Sequence, residues 1–379
     1  MGAVLPACGT PADVAGRSPS VRRSYQHAAM GTLFQLTLHA DDPAAADRAA
    51  AAAFECVDRV AEVATDYVAS SEARQLPGRG ALGWTPVSEP LADVLRAADR
   101  WVQASGGAFD PTVGALTPGW RRALRREEWP DPADWNEGRG AVGWAEHVEL
   151  REGAEGLEFR AGRPGLRLDF GAVAKGVAVD AALRAVERAG VHRALMDGGG
   201  DVCALDPPPG EAGWRVEVRP FGDDAGPRLR FLLRRAAIAT SGDAYRSGRL
   251  GGVPLPGLRS PGTGDAASHY GHVIDPRTAL PLPSPRAALM TAPNAAAADA
   301  LATARMVLGP AGPGGTARGD EAPLDPALEC GVFFPGAKME PCVGRRFPHD
   351  GAALLTDGAS GASPADLPLL DPQPRPRDE

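Results

Sequence analysis

Two hydrophobic periods alternate along the chain. Residues 32–39 switch between apolar and polar in the manner of a half-buried strand, and the Ala-rich run 44–63 that follows carries Asp41 and Asp42 where a helix is capped. A second helical stretch, 91–104, stops at Gly106-Gly107 and leads into Phe109-Asp110-Pro111-Thr112-Val113-Gly114, where Pro and Gly favour a loop. Residues 148–150, 157–159 and 166–170 are short alternating runs separated by glycine turns, which predict an antiparallel meander. A helix over 172–189 follows, with Gly190 as its stop. Further strands are expected at 193–196, 214–219, 229–233, 236–240, 270–274, 287–291 and 330–334, with a helix over 295–308 ending at Gly309.

Strands and helices mixed in this way predict an α+β fold, with mixed or antiparallel sheets and packed helices. The order divides the chain into a lead, 1–24, one large domain, 25–345, and a tail, 346–379, whose Pro, Gly and Asp content argues for disorder beyond 357. Within the domain, 120–144 is charged and contains Pro and Trp, and reads as a surface excursion. The Gly- and Pro-rich stretch 248–267 reads as a loop, either an insertion or a lid.

Composition narrows the function classes. Apolar residues make up 44% of 379, enough for a sizeable core, and the 47 glycines and 37 prolines agree with long turns. A net charge of −8 without a basic block gives no footprint for nucleic acid or an anionic membrane surface. No apolar stretch approaches the roughly 18 residues of a membrane span. Leu5-Pro6-Ala7-Cys8 resembles a lipoprotein cleavage box, but no charged and then apolar segment precedes it, so no signal peptide is read here and the compartment stays open. The five cysteines form no C-x-x-C pair, which argues against structural zinc; Cys330 and Cys342 are a candidate pair only in an exported protein.

Four polar clusters sit where elements end, the places from which a scaffold aims groups at a cleft. In the first, Asp169-Phe170-Gly171-Ala172-Val173-Ala174-Lys175-Gly176 with Asp180, a helix start and a lysine converge and suit an anion, or else Asp169 simply caps and Lys175 is solvated. In the second, Asp197-Gly198-Gly199-Gly200-Asp201, the glycines permit close backbone approach to a ligand, or make a tight turn. The third runs from Tyr270 to Thr278 and holds His272, Asp275 and the phosphate-competent Arg277; a structural histidine is the plainer alternative. In the fourth, Asp299 and Thr303 lie at i and i+4, so their oxygens share a helix face and can reach one hard cation. The alternative there is a threonine bonded to its own helix beside an exposed aspartate. Neither G-x-x-x-x-G-K-[ST] nor G-x-G-x-x-G occurs at these clusters.

Taken together, these clusters resemble the ApbE family of flavin transferases. Met30-Gly31-Thr32 is similar to its opening M-G-T, Phe109 to Gly114 to F-D-x-T-V-G, and Leu168 to Gly176 with Asp180 to L-D-L-G-x-x-A-K-G-x-x-x-D. Asp197 to Asp201 stands at its G-G-D, Ala239 to Asp243 reads A-T-S-G-D, His272 to Thr278 resembles H-I-I-D-P-R-T, and Ala298 to Ala304 resembles A-D-A-x-x-T-A. The resemblance covers about 30–309 and implies the family's α+β fold.

It also implies FAD as substrate, Mg²⁺ as metal, and transfer of FMN to a Thr or Ser hydroxyl of an acceptor protein with release of AMP. Plain hydrolysis of FAD to FMN and AMP, or flavin binding without catalysis, are the alternatives. By carry-over, Ala172, Asp299 and Thr303 would hold the metal. Met30, Tyr67, Asp110, Pro111, Thr112, Asp169, Lys175 and His272 would line the FAD site. Lys175 would add positive potential, and His272 or Asp275 would accept the proton. Members of the family usually work outside the cytoplasm. One departure is Ala279, which stands where the family has glycine, so its turn is expected either without positive φ or at a small cost in strain.

Overall fold

The computed structural model describes residues 20–221, 228–243, 246–250, 255 and 268–309, together with the backbone of 330–333 and 352–354. The chain opens with strands β1 (Val21–Ala29) and β2 (Thr32–Ala40), then helices α1 (Pro43–Ala64) and α2 (Glu72–Gly80). Strand β3 (Thr85–Pro86), helix α3 (Glu89–Ala104), a 3-10 turn (Pro111–Ala115) and helices α4 (Thr117–Arg126), α5 (Pro132–Arg139) and α6 (Trp144–His147) follow. Next come β4 (Val148–Gly153), β5 (Gly156–Ala161), α7 (Ala174–Arg188), β6 (Arg193–Gly198) and β7 (Val202–Ala204). Strands β8 (Trp214–Val218), β9 (Leu229–Leu233), β10 (Ala236–Gly242), β11 (Ser247–Leu250), β12 (Ser268–Asp275), β13 (Leu280–Pro283) and β14 (Ala287–Ala292) lead to α8 (Ala295–Leu308). Short strands β15 (Cys330–Phe333) and β16 (Ala352–Leu354) complete the elements.

A seven-stranded sheet, in the order β1-β2-β6-β7-β10-β14-β15, is antiparallel at every pairing. Its central strands separate two apolar layers by simple alternation. Ala194, Met196, Ala237, Ala239, Ala288 and Met290 join a core shared with α1, α7 and α8. Leu195, Ala236, Ile238 and Leu289 face the other way, onto Trp214, Val216, Phe231 and Leu233 of the β8-β9-β16 sheet. Side chains of successive strand residues point to opposite faces, so one strand serves both layers. α8 is alanine-rich and buried almost all round, and its small side chains let it sit tightly between α7 and the sheet.

Several expectations need correction. The N-terminal lead ends earlier than residue 24: β1 starts at Val21 as an edge strand whose polar, half-exposed residues carry little apolar signal. Residues 166–170 form no strand; Leu166, Leu168 and Phe170 are buried, but the segment bonds the 3-10 turn (Asp169 N–H to the Pro111 carbonyl, 2.8 Å) rather than a neighbouring strand. The 120–144 stretch is no excursion. Trp120 and Trp135 are buried with Tyr270, Ile274 and Ala279, and donate to the Gly271 and Ala279 carbonyls at 2.9 and 3.1 Å. Ala279 does take positive φ, 55°, the strained alternative. Most of 248–267, the Cys330–Cys342 pair and the tail boundary lie outside the residues whose side chains are described.

Candidate functional site

The sequence puts a glycine where α7 must touch α8. A Cβ on Gly176 would stand 2.4 Å from the Ala295 carbonyl oxygen, so only glycine lets the two backbones meet. Asp180, one turn further along α7, accepts from the Ala295 and Ala296 N–H groups at 2.8 and 3.0 Å. It therefore caps α8 from a neighbouring helix, while Asn294 caps it locally through the Ala297 N–H. Burial raises the Asp180 carboxyl to about 6.

This junction carries the polar centre. Asp299 is buried, and its Oδ2 accepts from Lys175 Nζ at 3.2 Å and from the Gly176 N–H at 3.3 Å. Lys175 also bonds Asp201, which the Gly198–Asp201 turn brings in from the end of β6. Gly199 and Gly200 have φ of 73° and 98°, and a Cβ on Gly199 would strike Thr32, so the glycines let this turn lie against the β1–β2 hairpin. Asp197 is tied to the same turn by the Gly200 N–H at 2.7 Å. Two carboxylates thus hold one ammonium, and Asp197 lies close enough to feel its charge. Burial works against the Lys175 charge, but Asp201 and Asp299 outweigh it and hold the lysine protonated. Burial, with Asp299 beside it, pushes Asp201 up, and burial lifts Asp197 to about 6. An excess of buried acid of this kind is relieved by a cation.

One turn beyond Asp299, Thr303 shares a hydrogen bond of 2.8 Å with Ser241 at the end of β10. The aspartate is neither exposed nor solvated, and the threonine hydroxyl is turned to another element. Asp299 and Thr303 are hard oxygen donors, as Mg²⁺ prefers. Among the described residues no group of three His, Cys, Asp or Glu side chains is arranged to hold a metal, so a dication here would depend on ligand phosphates for the rest of its shell. Ala172 lies one turn before Gly176, in the turn that opens α7.

A second wall is built around Arg121, a residue the sequence motifs do not mark. Its guanidinium donates to Asp66 through Nη1 and to Asp169 through Nη2, each at 2.7 Å, and lies 4.7 Å from the centroid of the Tyr67 ring. Tyr67 is 74% exposed. Asp169 also accepts from the Gly171 N–H at 2.9 Å. His272 on β12 lies within the field of this pair: burial lowers its imidazole to about 4, Asp169 opposes that and Arg121 adds to it. The imidazole is neutral at neutral pH, and its Nδ1 is buried without a hydrogen-bond partner.

The remaining candidates are engaged elsewhere. Asp275 is held by the Arg277 side chain, with Nε at 3.0 Å and Nη2 at 3.1 Å. Asp110 accepts from Thr112 N–H and Oγ1 and from the Trp144 N–H, while Thr112 Oγ1 accepts from the Gly143 N–H. Those side chains therefore build the loop, and Pro111 offers its carbonyl to Asp169. Met30 occupies the β1–β2 turn with φ 49°, next to Gly31 at 66°, a two-residue turn that matches strand twist but strains a methionine.

The sequence pattern of the ApbE family matches residues 30–319, more than three quarters of the chain. This chain belongs to the ApbE family. Among curated members it is 29% identical over 303 residues to a Treponema pallidum FAD:protein FMN transferase, covering 76% of this chain and 79% of that protein. A Rhodobacter capsulatus protein of the same description is 31% identical over 227 residues, 59% of this chain and 39% of that protein. In fold, it is similar to the apo flavinyl transferase ApbE of Pseudomonas stutzeri, with a TM-score of 0.63 at 20% identity over 77% of this chain and 86% of that one. The flavin transferase ApbE of Vibrio cholerae gives 0.61 at 24%, covering 76% and 87%. Within this ApbE fold, Arg121 escaped the sequence because its partners lie 55 and 48 positions away, a distance no periodicity records.

Proposed function

We propose that this protein is a Mg²⁺-dependent FAD:protein FMN transferase, which moves FMN from FAD to a Thr or Ser hydroxyl of an acceptor protein and releases AMP. The observation that carries this reading is the meeting of Lys175, Asp201 and Asp299 one helical turn from Thr303, an excess of buried acid around a single fixed ammonium. Such a centre is suited to a polyanion that arrives with a dication. The names of the curated relatives point the same way.

In this scheme Asp299 and Thr303, with Ala172, would hold the magnesium ion, which when bound neutralises charge on the diphosphate. Lys175 supplies a permanent positive charge and stays protonated between its two aspartates. The acceptor oxygen forms a bond to the FMN phosphorus, and the bond from that phosphorus to the bridging oxygen breaks, so the oxygen leaves with AMP. His272 is the residue suited to take the hydroxyl proton, because burial keeps its ring neutral. Asp169 then stabilises the imidazolium. Asp275 is a poorer base, because Arg277 already occupies both its oxygens.

The test is to mix the purified protein with FAD and Mg²⁺, with and without a Thr-containing acceptor, and to follow AMP release and covalent FMN by mass spectrometry. Transfer predicts AMP and FMN-acceptor in equal amounts, abolished by Asp299→Ala. AMP with free FMN, whether or not the acceptor is present, would make the protein a hydrolase. FAD left intact, or transfer by Asp299→Ala at the wild-type rate, would refute the scheme.

A further inference from the structure

Arg121 joins three separate parts of the chain. It stands on α4; Asp66 belongs to the segment between α1 and α2, and Asp169 to the one between β5 and α7. All three side chains are largely withdrawn from solvent, at 28%, 15% and 11% exposure, so this is not a solvated surface pair. Beside Asp66, the Tyr67 ring rests on the guanidinium yet remains mostly open. An aromatic ring so exposed and backed by a buried, ion-paired cation is a stacking surface for a planar ring.

The charges explain what fixes the ring. Two carboxylates from different segments face one guanidinium. Burial and the neighbouring Asp169 both push the Asp66 carboxyl up, and Arg121 opposes them. Without the guanidinium the two acids repel, and the segment that bears Tyr67 is released from the wall that bears Asp169. We propose that Arg121 is a positioning residue that clamps the Tyr67 segment to Asp169 and so fixes the surface on which the isoalloxazine ring is captured. This rests on the reading of FAD as substrate. The clamp acts on the flavin half of the ligand, whereas Lys175 and Asp299 act on its phosphates.

The experiment compares FAD with ADP, which has the diphosphate and adenosine but no flavin, on the full-length protein. FAD affinity is read by quenching of flavin fluorescence, ADP affinity by calorimetry, both with Mg²⁺. Arg121→Met is expected to weaken FAD by about tenfold to a hundredfold, the range of one lost aromatic stack, and to leave ADP affinity unchanged. KM for FAD rises with it, and Arg121→Lys recovers part of the loss. Asp66→Ala, which unties the segment while leaving Arg121 on Asp169, gives the same pattern and keeps the test open should Arg121→Met fail to fold. FAD affinity unchanged in Asp66→Ala, or equal losses of FAD and ADP, would overturn the clamp. A wild-type protein that binds no FAD at all would instead overturn the functional reading, and the clamp with it.

Discussion

Gly176→Ala tests the junction on which the polar centre is built. By helix propensity alone the change should stabilise α7 by about 1 kcal/mol. The new methyl, however, would stand 2.4 Å from the Ala295 carbonyl oxygen, 2.6 Å from its carbon and 2.6 Å from the Ala296 Cα, all backbone atoms of α8. No side chain can rotate away, so α8 must retreat by about 1 Å to restore ordinary contact. Overpacking of this kind costs about 1–3 kcal/mol. The retreat also stretches the two bonds from Asp180 to the start of α8, each worth about 1 kcal/mol. After the propensity gain is subtracted, the variant should be about 2–4 kcal/mol less stable. Urea unfolding measures this directly. Gly119→Ala is the control: Gly119 is also helical, but nothing lies within 4 Å of its would-be Cβ, so that variant should match or exceed the parent. The same retreat draws Asp299 away from Lys175, so Mg²⁺-dependent FAD turnover should fall along with stability. A Gly176→Ala protein as stable as the parent would show that α7 and α8 do not meet as described.

Two further predictions concern the titrating groups. Asp197 has its folded carboxyl raised to about 6, so its contribution to stability is present below the ordinary 3.8 and lost as pH rises through 6; Asp197→Asn should be more stable than the parent by up to about 3 kcal/mol at pH 8 and little different at pH 4, and a difference independent of pH would refute the burial argument. His272 has its folded imidazole lowered from 6.5 to about 4, so the stability it lends is present above 6.5 and lost as pH falls through 4, roughly 3 kcal/mol; His272→Ala should flatten that part of the pH–stability curve and slow FMN transfer by about a hundredfold or more, and an unchanged curve with full activity would remove it from the mechanism.

Local chemistry made much of this protein legible before its coordinates. Asp42 does cap α1, its carboxylate accepting from the Ala45 N–H at 2.9 Å, and the glycines after β6 do make a turn that needs positive φ. The spacing of Asp299 and Thr303 along one helix face was equally plain, because i and i+4 positions superpose on any helix. Failures arose where burial and secondary structure part company. Leu166, Leu168 and Phe170 alternate because one side of the segment is buried, yet no strand lies alongside to pair with it. Trp120 and Trp135 sit among arginines and acids, which hid the fact that one face of each of their two helices turns inward, onto β12 and Ala279. The exposed-aspartate alternative for Asp299 failed for a related reason: an alanine-rich helix has no intrinsic outside, and only the packing of α7 and the sheet decides that every face is covered.

The cross-helix cap formed by Asp180 has a mechanical consequence. A carboxylate from α7 grips the first turn of α8 while Gly176 presses the two backbones together, so the helices behave as one solid piece. The backbones that carry lysine, aspartate and threonine are therefore fixed to one another by packing that involves none of those three side chains.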